Sequence, residues 1–125
     1  MDIFKEFKRL ENESRDFGFY WPKLDSVIKQ IENEIKEIKE AVDSQESRER
    51  LQEEIGDLIH AVFSLCWYCN FDPEQTFVSA TSKYSSRFYA MKNIAQSEGV
   101  ESFNGEDIDF MMNFWDKAKI LEKSQ

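Results

Sequence analysis

The chain has 125 residues, 41% hydrophobic and 33% charged, with a formal net charge of −9. That balance suits one folded, soluble domain over residues 1–125 and excludes a disordered chain. The acidity and the lack of any basic run exclude a general binder of nucleic-acid polymers, and no apolar run approaches the ~18 residues of a membrane span.

With no charged-then-apolar leader and only two cysteines, the expected setting is a reducing cytoplasm. Eleven Phe offer more ring surface than one small core buries, so a homodimer or homotetramer is expected. Scarce glycine and proline favour helices.

The predicted elements follow in chain order. A first helix covers Asp2 to Ser14, with Ile3, Phe4, Phe7 and Leu10 at helical spacing. The aromatic connector Phe17-Gly18-Phe19-Tyr20-Trp21-Pro22 follows, its proline suited to a first helical turn. In the second helix Leu24, Ile28, Ile31, Ile35, Ile38 and Val42 alternate in steps of four and three, a coiled-coil-like seam. The helix ends near Asp43, and Ser44-Gln45-Glu46-Ser47 reads as a tight turn. A third helix from Ser47 repeats the pattern with Leu51, Ile55, Leu58, Val62, Leu65 and Cys69 until Asn70-Phe71-Asp72-Pro73 stops it. Asp72 caps a fourth helix that starts at Pro73, with Gln75 placed for a capping box, and runs to about Ser97 before Gly99. Asn104 caps a last helix over Glu106 to Glu122. The fold class is all-α, a helical bundle of four long helices plus an N-terminal one, with no competing strand pattern.

Two Glu-x-x-acid pairs, Glu34 with Glu37 and Glu54 with Asp57, each place two carboxylates on one helix face. At about 100° per residue, Glu34 and Glu54 sit roughly 70° from the centre of their apolar seams, and Glu37 and Asp57 roughly 130°, in the same sense. An antiparallel hairpin has an approximate two-fold axis, so equal offsets bring both pairs to one side at matching heights. Four converging carboxylates repel one another, and hard divalent cations such as Mg²⁺ or Mn²⁺ relieve that repulsion. On spacing alone, a solvated acidic flank remains the alternative.

Taken together, Gly18-Phe19-Tyr20-Trp21-Pro22, Glu34-Ile35-Lys36-Glu37 with Glu40-Ala41, and Glu53-Glu54-Ile55-Gly56-Asp57-Leu58 resemble the MazG family of all-α nucleoside triphosphate pyrophosphohydrolases. That family's signature is Glu-Glu-x-x-Glu, a helical hairpin, then Glu-x-x-Asp. The resemblance continues through Asp72-Pro73-Glu74, Lys83, Arg87-Phe88, Trp115 and Lys119, covering about residues 17–121. It implies that Glu34, Glu37, Glu54 and Asp57 bind Mg²⁺, with Mn²⁺ able to substitute. It also implies that Lys83 and Arg87 meet the triphosphate and that Trp115 and Lys119 close the pocket. The implied reaction converts a (deoxy)nucleoside triphosphate to the monophosphate and pyrophosphate by water attack at the α-phosphorus. Catalysis falls to Glu37 and Glu54, with Glu37 and Glu53 the candidates for general base. Asn33 stands where the signature has its first Glu, and Thr81 where relatives often have Asn.

Other motifs carry less. Cys66-Trp67-Tyr68-Cys69 has redox or zinc spacing, but it lies late in a helix and lacks two further ligands, so buried thiols are expected. His60, three residues after Asp57, lacks the second carboxylate-x-x-His step of a di-iron site and reads as structural or as a bystander near the site. The aromatics from Phe17 to Trp21 either pack in a core or interface or stack a base. Two rivals to the main reading stay open: a dUTP- or dCTP-type pyrophosphatase, and a catalytically silent helical interaction module.

Overall fold

Helix boundaries here follow capping chemistry. A computed structural model describes residues 1–124. Among them it contains α1 (Ile3–Phe17), α2 (Leu24–Asp43), α3 (Arg48–Tyr68), α4 (Pro73–Ser97) and α5 (Ile108–Lys123), and no strand. The all-α expectation holds. The first helix runs past Ser14 to Phe17, because Gly18 takes the left-handed conformation (φ 94°) that closes the last turn onto the Arg15 and Ser14 carbonyls. Pro22 precedes α2 instead of entering it, and Lys23 is the N-cap residue. The last helix starts two residues later than expected. Its cap is Asp107, whose carboxylate accepts from the Phe110 N–H at 2.9 Å, while Asn104 lies in the preceding turn.

The chain divides into two units, Met1–Thr76 and the residues from Phe77 onward. In the first, α2 and α3 form a hairpin across the Ser44–Ser47 turn, and it contains the most extensive helix–helix packing. Phe4 and Phe7 of α1 set their rings against Phe63 of α3 at centroid distances of 5.5 and 6.1 Å, and Phe7 also meets His60 and Trp67. Lys8 of α1 pairs with Asp72, which also caps α4 by accepting from the Gln75 N–H at 2.9 Å. In the second unit Phe103, Phe110 and Phe114 form a ring cluster with centroids 5.3–6.1 Å apart. Beside it Lys117 pairs with Glu98 at 3.0 Å.

The hairpin seam is not the predicted one. Val27, Glu34 and Ala41 are buried on α2, with Ile31 and Ile38 half-buried between them. On α3 the buried pair is Glu54 and Ala61, flanked by half-buried Leu51, Leu58 and Leu65. Leu24, Ile28, Ile35 and Val42 of the expected seam are exposed, as are Ile55 and Val62. Each helix is therefore turned about 50° from the expected orientation, half of one residue's step. The reason is size. Two alanines in the contact face let the backbones approach closely, whereas the β-branched alternatives would hold them apart.

Ser47 caps α3 by accepting from the Arg50 N–H at 3.2 Å. Ser47→Ala is expected to lower unfolding stability by about 1 kcal/mol with an unchanged denaturant slope, measured by urea titration.

Candidate metal centre

The rotation of the seam brings two carboxylates between the helices. Glu34 is 8% exposed and Glu54 3% exposed. Relative to the centre of the contact face they move from the expected ~70° to about 20°. Asp57, one turn on from Glu54, remains exposed, as does Glu37. One oxygen from each of Glu34, Glu54 and Asp57 falls within a cluster no more than 4.8 Å across. The Glu37 carboxyl reaches Glu54 as well. All four predicted carboxylates therefore meet in the first unit.

Their electrostatics are unfavourable without a cation. Hydrogen bonding with Glu37 and then burial push the Glu54 carboxyl above the usual glutamate range, and the Glu37 and Asp57 charges add to this. Arg50 works in the opposite direction, pairing through Nη2 with Glu54 Oε1 at 2.7 Å. Glu34 Oε1 accepts a hydrogen bond from Gln30 Nε2 at 2.6 Å. The second oxygen of each buried glutamate, Glu34 Oε2 and Glu54 Oε2, is buried with no hydrogen-bond partner.

Buried carboxylate oxygens are ordinarily paired, because stripping them of water is costly. Two bare ones, on carboxylates that each bring an oxygen into one cluster, fit a hard divalent cation, which would replace the missing partners. Oxygens around one Mg²⁺ span at most about 4.2 Å, so the observed cluster needs only a small contraction. The donor set is all oxygen, as Mg²⁺ and Mn²⁺ require.

A cavity of about 690 Å³ opens beside this cluster. Glu34 and Asp57 form part of its wall, and Phe19, Tyr20, Trp21 and Trp67 supply ring faces. Arg15 reaches the same cavity from the end of α1 and stacks over Tyr20 at 5.8 Å. A second cavity, about 510 Å³, holds the Lys8–Asp72 pair and none of the clustered carboxylates. The other predicted site residues lie in the second unit. Arg87 pairs with Glu122 at 2.6 Å and stacks over Trp115 at 5.9 Å. The Tyr84 ring lies 5.7 Å from the Trp115 ring. Lys83 is exposed and Lys119 half-buried.

Four residues outside the expected set adjoin the cluster or its cavity: Gln30 and Arg50, which hold Glu34 and Glu54, and Arg15 and Trp67, which line the cavity. For the first two a signal existed, since each stands four residues before a clustered glutamate, on the same helix face. His60 packs edge-on against Phe7 and also lines the cavity beside Glu34 and Asp57. Cys66 and Cys69 are free thiols, half-buried.

The raised proton affinity of Glu54 has a consequence for stability. Its contribution is complete below the ordinary glutamate range near ~4.3 and is lost as pH rises through the elevated value. Glu54→Gln removes that loss. In chelator at neutral pH the variant should melt above the parent chain, and the gap should close towards pH ~4. Thermal melts across pH check this.

Residues 23–90 match the family model described as the MazG nucleotide pyrophosphohydrolase domain. The chain is 35% identical over 114 residues to the nucleoside triphosphate pyrophosphohydrolase/pyrophosphatase MazG of Thermotoga maritima, covering 90% of this chain and 42% of that protein. It is 28% identical over 116 residues to the nucleoside triphosphate pyrophosphohydrolase of Escherichia coli K12, covering 92% of this chain and 44% of the relative. The chain thus spans less than half the length of these relatives.

Proposed function

The chain belongs to the MazG family, and from that premise we propose that it hydrolyses nucleoside triphosphates to the monophosphate and pyrophosphate at the carboxylate cluster of the α2–α3 hairpin. The observation that carries this reading is the pair of buried, unpartnered oxygens, Glu34 Oε2 and Glu54 Oε2, beside an aromatic-walled cavity.

Glu34, Glu37, Glu54 and Asp57 would hold Mg²⁺, or Mn²⁺ in its place. When bound, the cation supplies Lewis-acid stabilisation of phosphate charge and a more acidic water. Glu34 and Glu54, fixed between packed helices, set the position of the phosphates. Glu37, exposed at the edge of the cluster, is open to solvent and accepts the proton of the water that attacks the α-phosphorus. Glu54 acts beside Glu37 as the buried carboxylate of the catalytic pair. The ring faces of Tyr20, Trp21 and Trp67 are suited to stacking a base and keeping water from it. For Lys83, Arg87, Trp115 and Lys119 we propose substrate binding on their match to the family pattern. Arg87 and Lys83 would neutralise phosphate charge. The proposal places the chain in the cytoplasm, where nucleoside triphosphates are found. Among the described residues, no helix is long and apolar enough to cross a membrane.

A panel of ribo- and deoxyribonucleoside triphosphates tests the reaction. Pyrophosphate and monophosphate should form with Mg²⁺ and cease with chelator. Asp57→Asn should lower turnover at least a hundredfold while circular dichroism stays unchanged. An active, metal-dependent Asp57→Asn chain would sink the assignment, and orthophosphate release would mean that another bond is cut.

A homodimer or homotetramer completes the proposal. Ile28, Ile35, Val42, Ile55 and Val62 face outward from the hairpin, an apolar surface of the kind that subunit contacts cover. Ile35→Glu should shift the native mass measured by light scattering towards the monomer. A parent chain that is monomeric at high concentration would refute it.

A further inference from the structure

The two buried glutamates are held in the same way. On α2, Gln30 Nε2 donates to Glu34 Oε1 at 2.6 Å, and on α3, Arg50 Nη2 pairs with Glu54 Oε1 at 2.7 Å. Both holders stand four residues before the glutamate they hold, one helical turn towards the N-terminus, where side chains four apart meet. In both cases Oε1 is engaged and Oε2 is left buried and bare. A glutamate side chain has three rotatable bonds and loses little by turning away. Anchoring one oxygen fixes the carboxylate plane and presents the other oxygen in a set direction.

We propose that Gln30 and Arg50 are the positioning residues of the metal centre, each fixing one oxygen of a buried glutamate so that its partner oxygen is presented to the cation. The proposal rests on the metal reading given above. Neither residue touches the substrate or the reacting atoms in this role. Arg50 is a cation beside a cation site, yet its charge is shared with Glu46 at 3.7 Å and Glu53 at 3.4 Å, and its side chain is 55% exposed. Solvent and those carboxylates screen its repulsion of an incoming dication, while its hold on Glu54 remains. Gln30 carries no charge, so its effect is orientation alone.

Mn²⁺ binding to the full chain, followed through the spin-resonance signal of free Mn²⁺, tests this without reference to turnover. Gln30→Ala and Arg50→Ala should each weaken Mn²⁺ binding by about ten- to a hundredfold, the usual range for partners that orient metal ligands. Arg50→Lys, which keeps a donor within reach of Glu54, should recover most of the affinity. Circular dichroism should stay unchanged and melting in chelator should shift by no more than a few degrees, because a merely structural role would move those and leave Mn²⁺ affinity alone. Gln30→Met, similar in volume and without a donor, serves if the alanine variant folds poorly, and it should show the same loss. Folded variants that bind Mn²⁺ as the parent does would overturn the positioning role and leave the metal site standing. Tighter binding by Arg50→Ala would also overturn it, since Arg50 would then be competing with the cation. A parent chain that binds no Mn²⁺, with Glu34→Gln indistinguishable from it, would overturn the metal reading and this proposal together.

Discussion

The contact between α2 and α3 carries two glutamates where a helical hairpin ordinarily places leucine or alanine, and much of the first unit follows from tolerating them. Each carboxylate loses most of its water, and each is compensated on one oxygen only. The compensation is local to each helix and comes from one turn back along the same chain. Around that costly centre the packing is generous. Ala41 and Ala61 bring the backbones together, the half-buried leucines and isoleucines flank the contact, and Phe4 and Phe7 of α1 close one side against Phe63. A buried charge left unpaired is among the few features able to destabilise a small domain by several kcal/mol. A centre of this kind persists where binding restores what folding gives up.

The cavity beside the cluster gains its character from the connector between α1 and α2. Gly18 turns the chain sharply after α1, and the three aromatic residues that follow line the space next to Glu34 and Asp57. Ser14 steadies this connector, its hydroxyl donating to the Phe19 carbonyl at 2.7 Å. Carboxylate oxygens and flat apolar rings thus adjoin within one unit. The second unit has its own arrangement, in which Arg87 is held between the Glu122 carboxylate and the Trp115 ring.

Much of this was legible in the sequence. Helix type and order followed from the spacing of apolar residues and from the caps at Ser47 and Asp72, because those signals are local. The four acidic residues were legible too, from equal offsets on two helices joined by a short turn. What the pattern could not settle was which flank of a broad apolar arc faces inward. Isoleucine and valine outscore alanine in any hydrophobic pattern, so the seam was placed through Ile28, Ile35 and Val42. The packing instead buries Val27, Ala41 and Ala61 and leaves Ile28, Ile35 and Val42 outside. The start of α5 was misplaced for a similar reason, since Asn104 and Asp107 are both good caps and only the fold chooses between them. Gln30 and Arg50 escaped notice because their role depends on a glutamate being buried, which the expected seam did not require.

One arrangement along the hairpin has a further consequence. Every buried residue of the two contact faces is followed at once by an exposed aliphatic one: Val27 by Ile28, Glu34 by Ile35, Ala41 by Val42, Glu54 by Ile55 and Ala61 by Val62. A buried row and an exposed aliphatic row therefore run along the same helices one residue apart. A single residue inserted in α2 between Glu34 and Ala41 would carry Ile35 into the place of Glu34. The result would be a contact face with an isoleucine in place of one of its two buried carboxylates. Point substitutions can drift on either face, but the spacing between the glutamates and the turn cannot change by one. A one-residue gap there would therefore cost this chain a buried carboxylate, although most of that stretch is exposed.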